Sequence, residues 1–255
     1  MKTSANDASL RAADIKRTQM KNVPLVAVLL ALAVTGLASQ RASAEEGVAL
    51  AIVYDTSGSM KDPVRDESGK PSPKYVIANR ALIAIAKQIQ NFATNSASES
   101  PRKIEAGVFV FDKNSAREAV KFGPFDERAI ESWANTFSNP SGSTPLGNAL
   151  TVASRAVFNS PLNHKHILVI TDGMNTYGPK PEDVLPRLKA QAQRSGTALS
   201  THFVAFDVDA KVFAAVKKLD ATVVSAADEK QLDTQLKFIL QRKILLEEEE
   251  TPKKP

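Results

Sequence analysis

A short run of oxygen-bearing side chains follows a continuously apolar stretch of the chain. Residues 48–54 are apolar throughout, and the next five positions include Asp55, Ser57 and Ser59 in the pattern Asp-x-Ser-x-Ser. Gly58 allows a sharp backbone turn between the two serines, so both hydroxyl groups can point to one side of a tight loop. A carboxylate, two hydroxyl groups and water suit a small cation with octahedral coordination, which predicts a site for Mg²⁺ or Mn²⁺.

The residue types make other metals less suitable. Ca²⁺ prefers more carboxylate oxygens than this loop offers. Zinc sites in proteins usually use cysteine or several histidines, but the chain has no cysteine. His164 and His166 lie two residues apart without a third candidate ligand nearby, and we expect them to be surface histidines. The absence of cysteine also excludes disulfide bonds and thiolate nucleophiles.

Apolar runs alternate with segments of helical periodicity along the chain. This pattern predicts an α/β fold with a doubly wound, mostly parallel central sheet and helices on both faces. The predicted strands are residues 48–54, 103–112, 118–122, 166–171, 198–206 and 222–225. The predicted helices are residues 73–94, 126–137, 145–158, 181–194, 212–219 and 229–246. Strand 118–122 is more polar than the others and is expected at an edge of the sheet.

The ends and faces of the helices give more specific expectations. Asp126 and Thr144 each suit the N-cap position of a helix, and Pro145 suits the first helical position after Thr144. The last helix, residues 229–246, carries its apolar residues on one face; these are Leu232, Leu236, Ile239 and Leu246. Residues 61–74 form a long charged loop that we expect at the rim of the site.

Two aspartates occupy equivalent places in this predicted sheet. Asp55 follows strand 48–54 and Asp172 follows strand 166–171, and these are the two most apolar strands. In doubly wound sheets, ligands bind beyond the carboxyl ends of the strands. We therefore expect Asp55 and Asp172 to face one common site.

Three segments together resemble the parts of a metal-ion-dependent adhesion site (MIDAS), in the order and spacing of a von Willebrand factor type A (vWA) domain. They are Asp55-x-Ser57-x-Ser59, Gly142-Ser143-Thr144-Pro145-Leu146 and Thr171-Asp172-Gly173, and the loops that contain them are the first, second and third loops of the site. The resemblance covers residues 46–246. One such segment alone is a weak signal, whereas three of them, each at the end of a predicted strand or the start of a helix, are specific.

The resemblance implies a role for each matching residue. Ser57 and Ser59 would bind the metal through their hydroxyl groups, and Thr144 would add a ligand from the second loop. Asp55 and Asp172 would bind it directly or through water, and would orient the hydroxyl groups. The remaining position would take water or an acidic side chain of a protein partner. The implied protein is a non-enzymatic binding module.

A metal-dependent phosphoryl hydrolase is the alternative. Asp55 would then be the nucleophile, and Asp172 would bind Mg²⁺. Hydrolases of that design use a second aspartate two residues after the first, where this chain has Ser57. They also use a lysine from a later loop, for which Lys180 is only a loose match. These departures favour the binding module.

The first 44 residues have the composition of a secretory leader. A basic start precedes an apolar run at residues 23–38, and a small-residue motif, Ala42-Ser43-Ala44, follows it. These features predict a signal peptide that is cleaved after Ala44. An uncleaved anchor and a start at Met20 are the alternatives.

The leader accounts for most of the net charge. The chain has 33 Lys or Arg and 28 Asp or Glu, a net charge of +5. Residues 1–44 hold six Lys or Arg and two Asp, a net charge of +4. The remainder lacks the basic excess of a nucleic-acid-binding protein. We expect an exported protein, periplasmic or extracellular, without a stable membrane span after cleavage. Its vWA domain would cover residues 46–246, followed by a charged tail at 247–255.

Overall fold

The computed structural model describes residues 45–95, 103–112 and 114–246. The strands found there are β1 Glu45–Tyr54, β2 Pro63–Arg65, β3 Pro71–Pro73, β4 Lys103–Asp112, β5 Ser115–Pro124, β6 Leu162–Thr171, β7 Ala198–Phe206 and β8 Thr222–Ala226. The α-helices are α1 Lys74–Asn95, α2 Glu127–Thr136, α3 Leu146–Asn159, α4 Pro181–Arg194, α5 Ala214–Lys217 and α6 Glu229–Ile239. Short 3₁₀ turns cover Gly58–Lys61 and Ala210–Phe213, and a π-helical segment, Leu240–Leu245, extends α6.

One central sheet contains six of these strands, in the order β5-β4-β1-β6-β7-β8. Strands β4, β1, β6, β7 and β8 are parallel, and β5 pairs antiparallel with β4 at one edge. Strands β2 and β3 form a separate antiparallel hairpin. The described chain begins in the middle of the sheet and winds outward in both directions, which is the doubly wound arrangement. The predicted fold class is therefore confirmed, including the edge position of the polar strand.

Alternate residues of β1 belong to two hydrophobic layers, one on each face of the sheet. Leu50, Ile52 and Tyr54 are buried in a layer with helices α1, α2 and α6. Ala51 and Val53 are buried on the opposite face, against α3 and α4. Successive strand residues point to opposite faces, so a strand covered on both sides must be apolar throughout. Each large aliphatic side chain buried in this way contributes about 1.5–3 kcal/mol.

The helix starts agree with the sequence at Asp126 but not at Thr144. Asp126 Oδ1 accepts a 3.1 Å hydrogen bond from the N–H of Ala129, as an N-cap residue does. Helix α3 instead has Pro145 in the N-cap position, without a side-chain cap. The predictions of Thr144 as the cap and Pro145 as the first helical residue are therefore wrong. The physical reason is that both backbone polar groups of Thr144 bond to Thr176.

Two further expectations about burial are wrong. The sequence predicts a surface position for His166, but this side chain is fully buried, with Nδ1 3.2 Å from Nε2 of His202. Leu246 is predicted on the apolar face of the last helix, but it is 54% exposed, whereas the other three predicted residues of that face are buried. A change from α-helical to π-helical turns before Leu246 alters the period of the helix, which removes this residue from the apolar face.

The remaining segments either change class or lie beyond the described residues. Residues 61–74, predicted as a loop, contain the hairpin of β2 and β3. The predicted leader at 1–44 and the predicted tail at 247–255 lie outside the described residues. None of the helices within 45–95, 103–112 and 114–246 combines the length and the apolar content of a membrane crossing.

Candidate metal centre

Asp55 lies fully buried at the carboxyl end of β1, where two groups fix its carboxylate. Its Oδ1 accepts a 2.7 Å hydrogen bond from the N–H of Ser57. Its Oδ2 accepts a 2.6 Å hydrogen bond from the hydroxyl group of Thr171, the last residue of the adjacent strand β6. A buried carboxylate with both oxygens bonded is held in one orientation. Sequence analysis does not predict this role of Thr171, which ties the first loop to the end of the neighbouring strand.

A chain of short contacts joins the first loop to the third loop, through Ser57, Ser59 and Asp172. The hydroxyl oxygens of Ser57 and Ser59 are 3.1 Å apart. The hydroxyl group of Ser59 donates to Asp172 Oδ1 at 2.8 Å. A 3₁₀ turn and the buried side chain of Met60 hold Ser59 in this position. Together with Asp55, four of the five predicted site residues belong to one hydrogen-bonded cluster.

Thr144, the fifth predicted residue, reaches the same edge of the sheet through its backbone. Its N–H donates to Thr176 Oγ1 at 2.8 Å, and its carbonyl accepts from the N–H of Thr176 at 2.9 Å, which joins the second loop to the third. The second loop also joins the first, because Gly142 O accepts from the N–H of Gly58 at 3.2 Å. Among the described residues, no hydrogen bond links the Thr144 hydroxyl group to the other four predicted site residues.

Two glycines allow the loops to approach each other. Gly142 has a φ of 89°, a left-handed conformation that favours glycine. At Gly147, the second residue of α3, a Cβ would collide with the carbonyl oxygen of Pro179, so a side chain here would push the third loop away. Asn175 reinforces this contact, because its Oδ1 accepts from the N–H of Gly147 at 3.3 Å.

Two charged residues at this edge are not predicted from the sequence. Lys74, the first residue of α1, is buried, and its Nζ lies 3.1 Å from Asp172 Oδ2 and 3.0 Å from Asp207 Oδ2. Asp207 directly follows β7, as Asp55 follows β1, so a strand that ends in an aspartate is a signal that could have found it. Lys74 gives no such signal, because Asp172 lies 98 positions further along the chain.

The acidic groups of the site favour additional positive charge. Burial and the neighbouring carboxylate of Asp172 raise the pKa of Asp55 to about 6, although hydrogen bonds to its oxygens act in the opposite direction. Burial disfavours the charged form of Lys74, but hydrogen bonds to Asp207 and Asp172 hold the pKa of Lys74 above its ordinary value. Carboxylates that are buried close together stabilise a nearby cation, because it offsets their lost hydration and their repulsion.

The donor atoms at this edge fit a hard divalent cation. They are carboxylate and hydroxyl oxygens, which Mg²⁺ and Mn²⁺ prefer over nitrogen and sulfur ligands. Within the part of the chain that the structure describes, no group of three or more His, Asp or Glu side chains is placed to hold a metal. Hydroxyl groups would therefore have to contribute to any metal site here. The full burial of the Asp55 carboxylate near that of Asp172 is the structural observation that favours a cation.

A family model of the von Willebrand factor type A domain matches residues 49–237, which is most of the chain. The match confirms the resemblance to a vWA domain, and the chain belongs to the vWA family. No curated protein sequence matches the chain significantly.

Solved structures of low sequence identity share this fold. The PilB minor pilin from Streptococcus sanguinis matches with a TM-score of 0.55 and 16% identity, over 76% of this chain and 61% of that chain. The vWF domain of the type V pili tip protein Mfa5 from Porphyromonas gingivalis has a TM-score of 0.53 and 12% identity, over 77% of this chain and 95% of that chain. Proximal thread matrix protein 1 from the mussel byssus, with a zinc-occupied MIDAS motif, has a TM-score of 0.54 and 14% identity, over 78% of this chain and 48% of that chain. This chain thus spans less than two thirds of the pilin and byssus chains.

Proposed function

We propose that this chain is an exported, non-enzymatic vWA module that holds a divalent cation of the Mg²⁺ type and uses it to bind an acidic side chain of a protein partner. The observation that carries the proposal is the chain of contacts from Ser57 through Ser59 to Asp172, beside the buried carboxylate of Asp55. Ser57, Ser59 and Thr144 would supply hydroxyl oxygens to the cation. Asp55 and Asp172 would supply carboxylate oxygens or orient the hydroxyl groups. The cation would supply a local positive charge, to which a carboxylate of another protein can bind.

The contacts of Asp55 favour binding over phosphoryl transfer. A nucleophilic carboxylate must present an oxygen to the substrate, but both oxygens of Asp55 accept hydrogen bonds and the side chain is fully buried. The lysine that contacts Asp172 is Lys74, not the Lys180 of the hydrolase alternative. Turnover of a generic phosphate ester in the presence of Mg²⁺ tests this alternative. Turnover that disappears in Asp55→Asn would favour the hydrolase.

The similar structures support a role in attachment outside the cytoplasm. Two of them are pilus proteins, a minor pilin and a pilus tip protein. A third carries zinc in a MIDAS motif, which supports a divalent cation without deciding its identity. The leader expected at residues 1–44 supports export to the periplasm or the cell exterior. The proposed partner is therefore a protein that this chain meets after export.

Calorimetric titration of the purified protein with Mg²⁺, Mn²⁺ and Ca²⁺ tests the metal site. We expect saturable binding of Mg²⁺ and Mn²⁺, and weaker binding of Ca²⁺. Asp55→Ala and the double variant Ser57→Ala/Ser59→Ala should lose this binding while their far-UV circular dichroism is unchanged. Ser195→Ala changes an exposed serine at the end of α4 and serves as the matched control. Saturable binding that persists in both site variants would contradict the assignment.

Immobilised peptides test the proposed partner chemistry. A peptide with a single glutamate should retain the protein in Mg²⁺ and release it when EDTA removes the metal. The same peptide with glutamine in place of glutamate is the control and should not retain the protein. Retention that is equal on both peptides, or that survives EDTA, would show that a metal–carboxylate contact is not the basis of binding.

A further inference from the structure

Lys74 places a fixed positive charge against the candidate metal site. Its side chain is only 7% exposed, and its Nζ lies 3.1 Å from Asp172 Oδ2 and 3.0 Å from Asp207 Oδ2. Its backbone N–H donates to Asp62 O at 3.0 Å. It also begins helix α1, whose first turn carries the buried side chain of Ile77. The ammonium group is therefore less free to leave Asp172 than that of an exposed lysine.

The carboxylate of Asp172 is shared between Lys74 and the hydroxyl cluster. Oδ1 accepts from the hydroxyl group of Ser59 at 2.8 Å, and Oδ2 accepts from Lys74. The Asp172 side chain has no exposed surface, so water screens its pairing with Lys74 weakly. The side chain of Asp207 is 40% exposed, and water screens its charge more strongly. Lys74 therefore acts more strongly on the charge of Asp172 than on that of Asp207.

Lys74 reduces the negative charge that the site offers to a cation. Asp55 and Asp172 are the two acids of the proposed ligand set, and the ammonium group cancels one of their charges. Counted over Asp55, Asp172 and Lys74, a bound divalent cation would then leave a net positive charge. The more exposed Asp207 offsets this charge only partly, and a carboxylate from outside the chain can neutralise the rest. We propose that Lys74 makes cation binding weak by itself and dependent on an acidic ligand, so that the metal and the acidic partner strengthen each other's binding. This inference rests on the proposed function.

A purely structural role for Lys74 predicts the opposite result. If Lys74 only held Asp172 in its orientation, removal of the lysine would weaken cation binding, because Asp172 would lose that orientation. If the charge of Lys74 is what matters, its removal strengthens cation binding and reduces the effect of an added carboxylate. The sign of the change separates the two roles.

Calorimetric titration of the full chain with Mg²⁺ tests the inference in wild type and Lys74→Met. Each protein is titrated with a terminally blocked peptide that contains one glutamate, and with its glutamine counterpart. In wild type, the glutamate peptide should raise Mg²⁺ affinity above the value with the glutamine peptide. In Lys74→Met, Mg²⁺ affinity with the glutamine peptide should be on the order of tenfold higher than in wild type, and the glutamate peptide should add little. Lys74→Arg keeps the charge and should restore the wild-type behaviour.

Two further variants keep the test independent of whether Lys74→Met folds well. Asp207→Asn removes the carboxylate that shares the ammonium group, so that Lys74 acts on Asp172 alone. Mg²⁺ affinity should then fall several-fold, a change opposite in sign to that of Lys74→Met. Lys70→Met removes an exposed lysine from the turn between β2 and β3. It should leave the affinity within about twofold of wild type, because water screens that charge.

The failure of the inference can be told apart from the failure of the proposed function. Equal Mg²⁺ affinity and an equal peptide effect in wild type and Lys74→Met would overturn the inference and leave the proposed function standing. Weaker binding by a folded Lys74→Met would overturn it in favour of the structural role. No saturable Mg²⁺ binding by wild type with either peptide would overturn the proposed function as well.

Discussion

Two lysines are buried in the described part of the molecule. They lie at opposite ends of the parallel strands of the central sheet. Lys74 lies beyond the carboxyl ends of the strands and pairs with Asp172 and Asp207. Lys165 lies in the first half of β6, and its ammonium group donates to three backbone carbonyls, each at 2.8 Å; these are the carbonyls of Val157, Ser160 and Leu162. The same side chain therefore has charged partners at one end of the strands and neutral partners at the other.

The partners determine what each buried charge does. The carbonyls around Lys165 lie at the end of α3 and the start of β6, where a helix leaves acceptors without partners. Lys165 satisfies them, but burial lowers the pKa of its ammonium group. Burial acts on Lys74 in the same direction, yet its carboxylate partners outweigh it and raise its pKa. A lysine among carbonyls stabilises the backbone by donating hydrogen bonds to it, whereas a lysine among carboxylates changes the charge of a site.

Lys165→Met should cause the largest loss of stability. The variant leaves Ser160 O and Leu162 O without this donor, whereas Val157 O still accepts from the N–H of Ser160 at 3.3 Å. A buried unsatisfied acceptor costs about 1–3 kcal/mol, so the free energy of unfolding should fall by about 3–4 kcal/mol. Urea denaturation measures this change. Mg²⁺ affinity of the folded variant should be unchanged, because the residue lies at the other end of the strands. A loss below about 1 kcal/mol would break the comparison, since it would mean that other donors satisfy these carbonyls.

At the carboxyl ends of the strands, the stability of the metal-free protein should depend on pH through Asp55. The pKa of this carboxyl is raised from 3.8 to about 6, so the folded state binds the proton more tightly than the unfolded state. Its stabilising contribution is present below pH 3.8 and is lost as the pH rises through about 6, a loss of about 3 kcal/mol.

Asp55→Asn isolates this contribution, because asparagine does not titrate. The free energy of unfolding of the variant, relative to wild type, should rise by about 3 kcal/mol between acidic and neutral pH. Urea denaturation in EDTA at a series of pH values measures the difference. If the free energies of unfolding of the two proteins changed with pH in parallel, the carboxyl group of Asp55 would not have a raised pKa in the folded state.

Lys74→Met should destabilise the metal-free protein by about 2 kcal/mol, because the carboxylate of Asp172 loses a charged hydrogen-bond donor. Saturating Mg²⁺ should restore most of this loss, since the cation replaces the missing charge. The same Mg²⁺ concentration should not restore Lys165→Met, whose defect lies among carbonyls. Urea denaturation of both variants with and without Mg²⁺ makes the comparison directly. An equal response of the two variants to Mg²⁺ would remove the distinction between the two ends of the strands.

Local patterns in the sequence are enough to predict the sheet and its site edge. Residues 48–54 and 166–171 are apolar runs that each end in an aspartate. Parallel strands bring their carboxyl ends to one edge of a sheet, so Asp55 and Asp172 can be placed together without a structure. The Ser-Gly-Ser loop after Asp55 adds the two hydroxyl groups. These signals predict the fold and the four residues that the structure brings into one hydrogen-bonded cluster.

Lys74, Thr144 and His166 show what local patterns cannot predict. Lys74 pairs with a residue 98 positions away. Thr144 bonds to Thr176, 32 positions away, and His166 contacts His202, 36 positions away. Each of these polar residues, taken alone, suits a charged rim, a helix cap or the surface. Their environments depend on partners that only the folded sheet brings close.

The smallest effect is expected at an exposed lysine, which tests whether burial rather than residue type explains the comparison. Lys237 pairs with Asp233 one turn earlier on α6, at 2.5 Å, and both side chains are partly exposed. Exposed pairs of this spacing contribute less than about 0.5 kcal/mol, and salt screens them further. Lys237→Gln should change the free energy of unfolding by no more than this amount, less in high salt, and should leave Mg²⁺ affinity unchanged. If urea denaturation showed a change as large as that of Lys74→Met, burial could not be the reason that Lys74 and Lys165 matter.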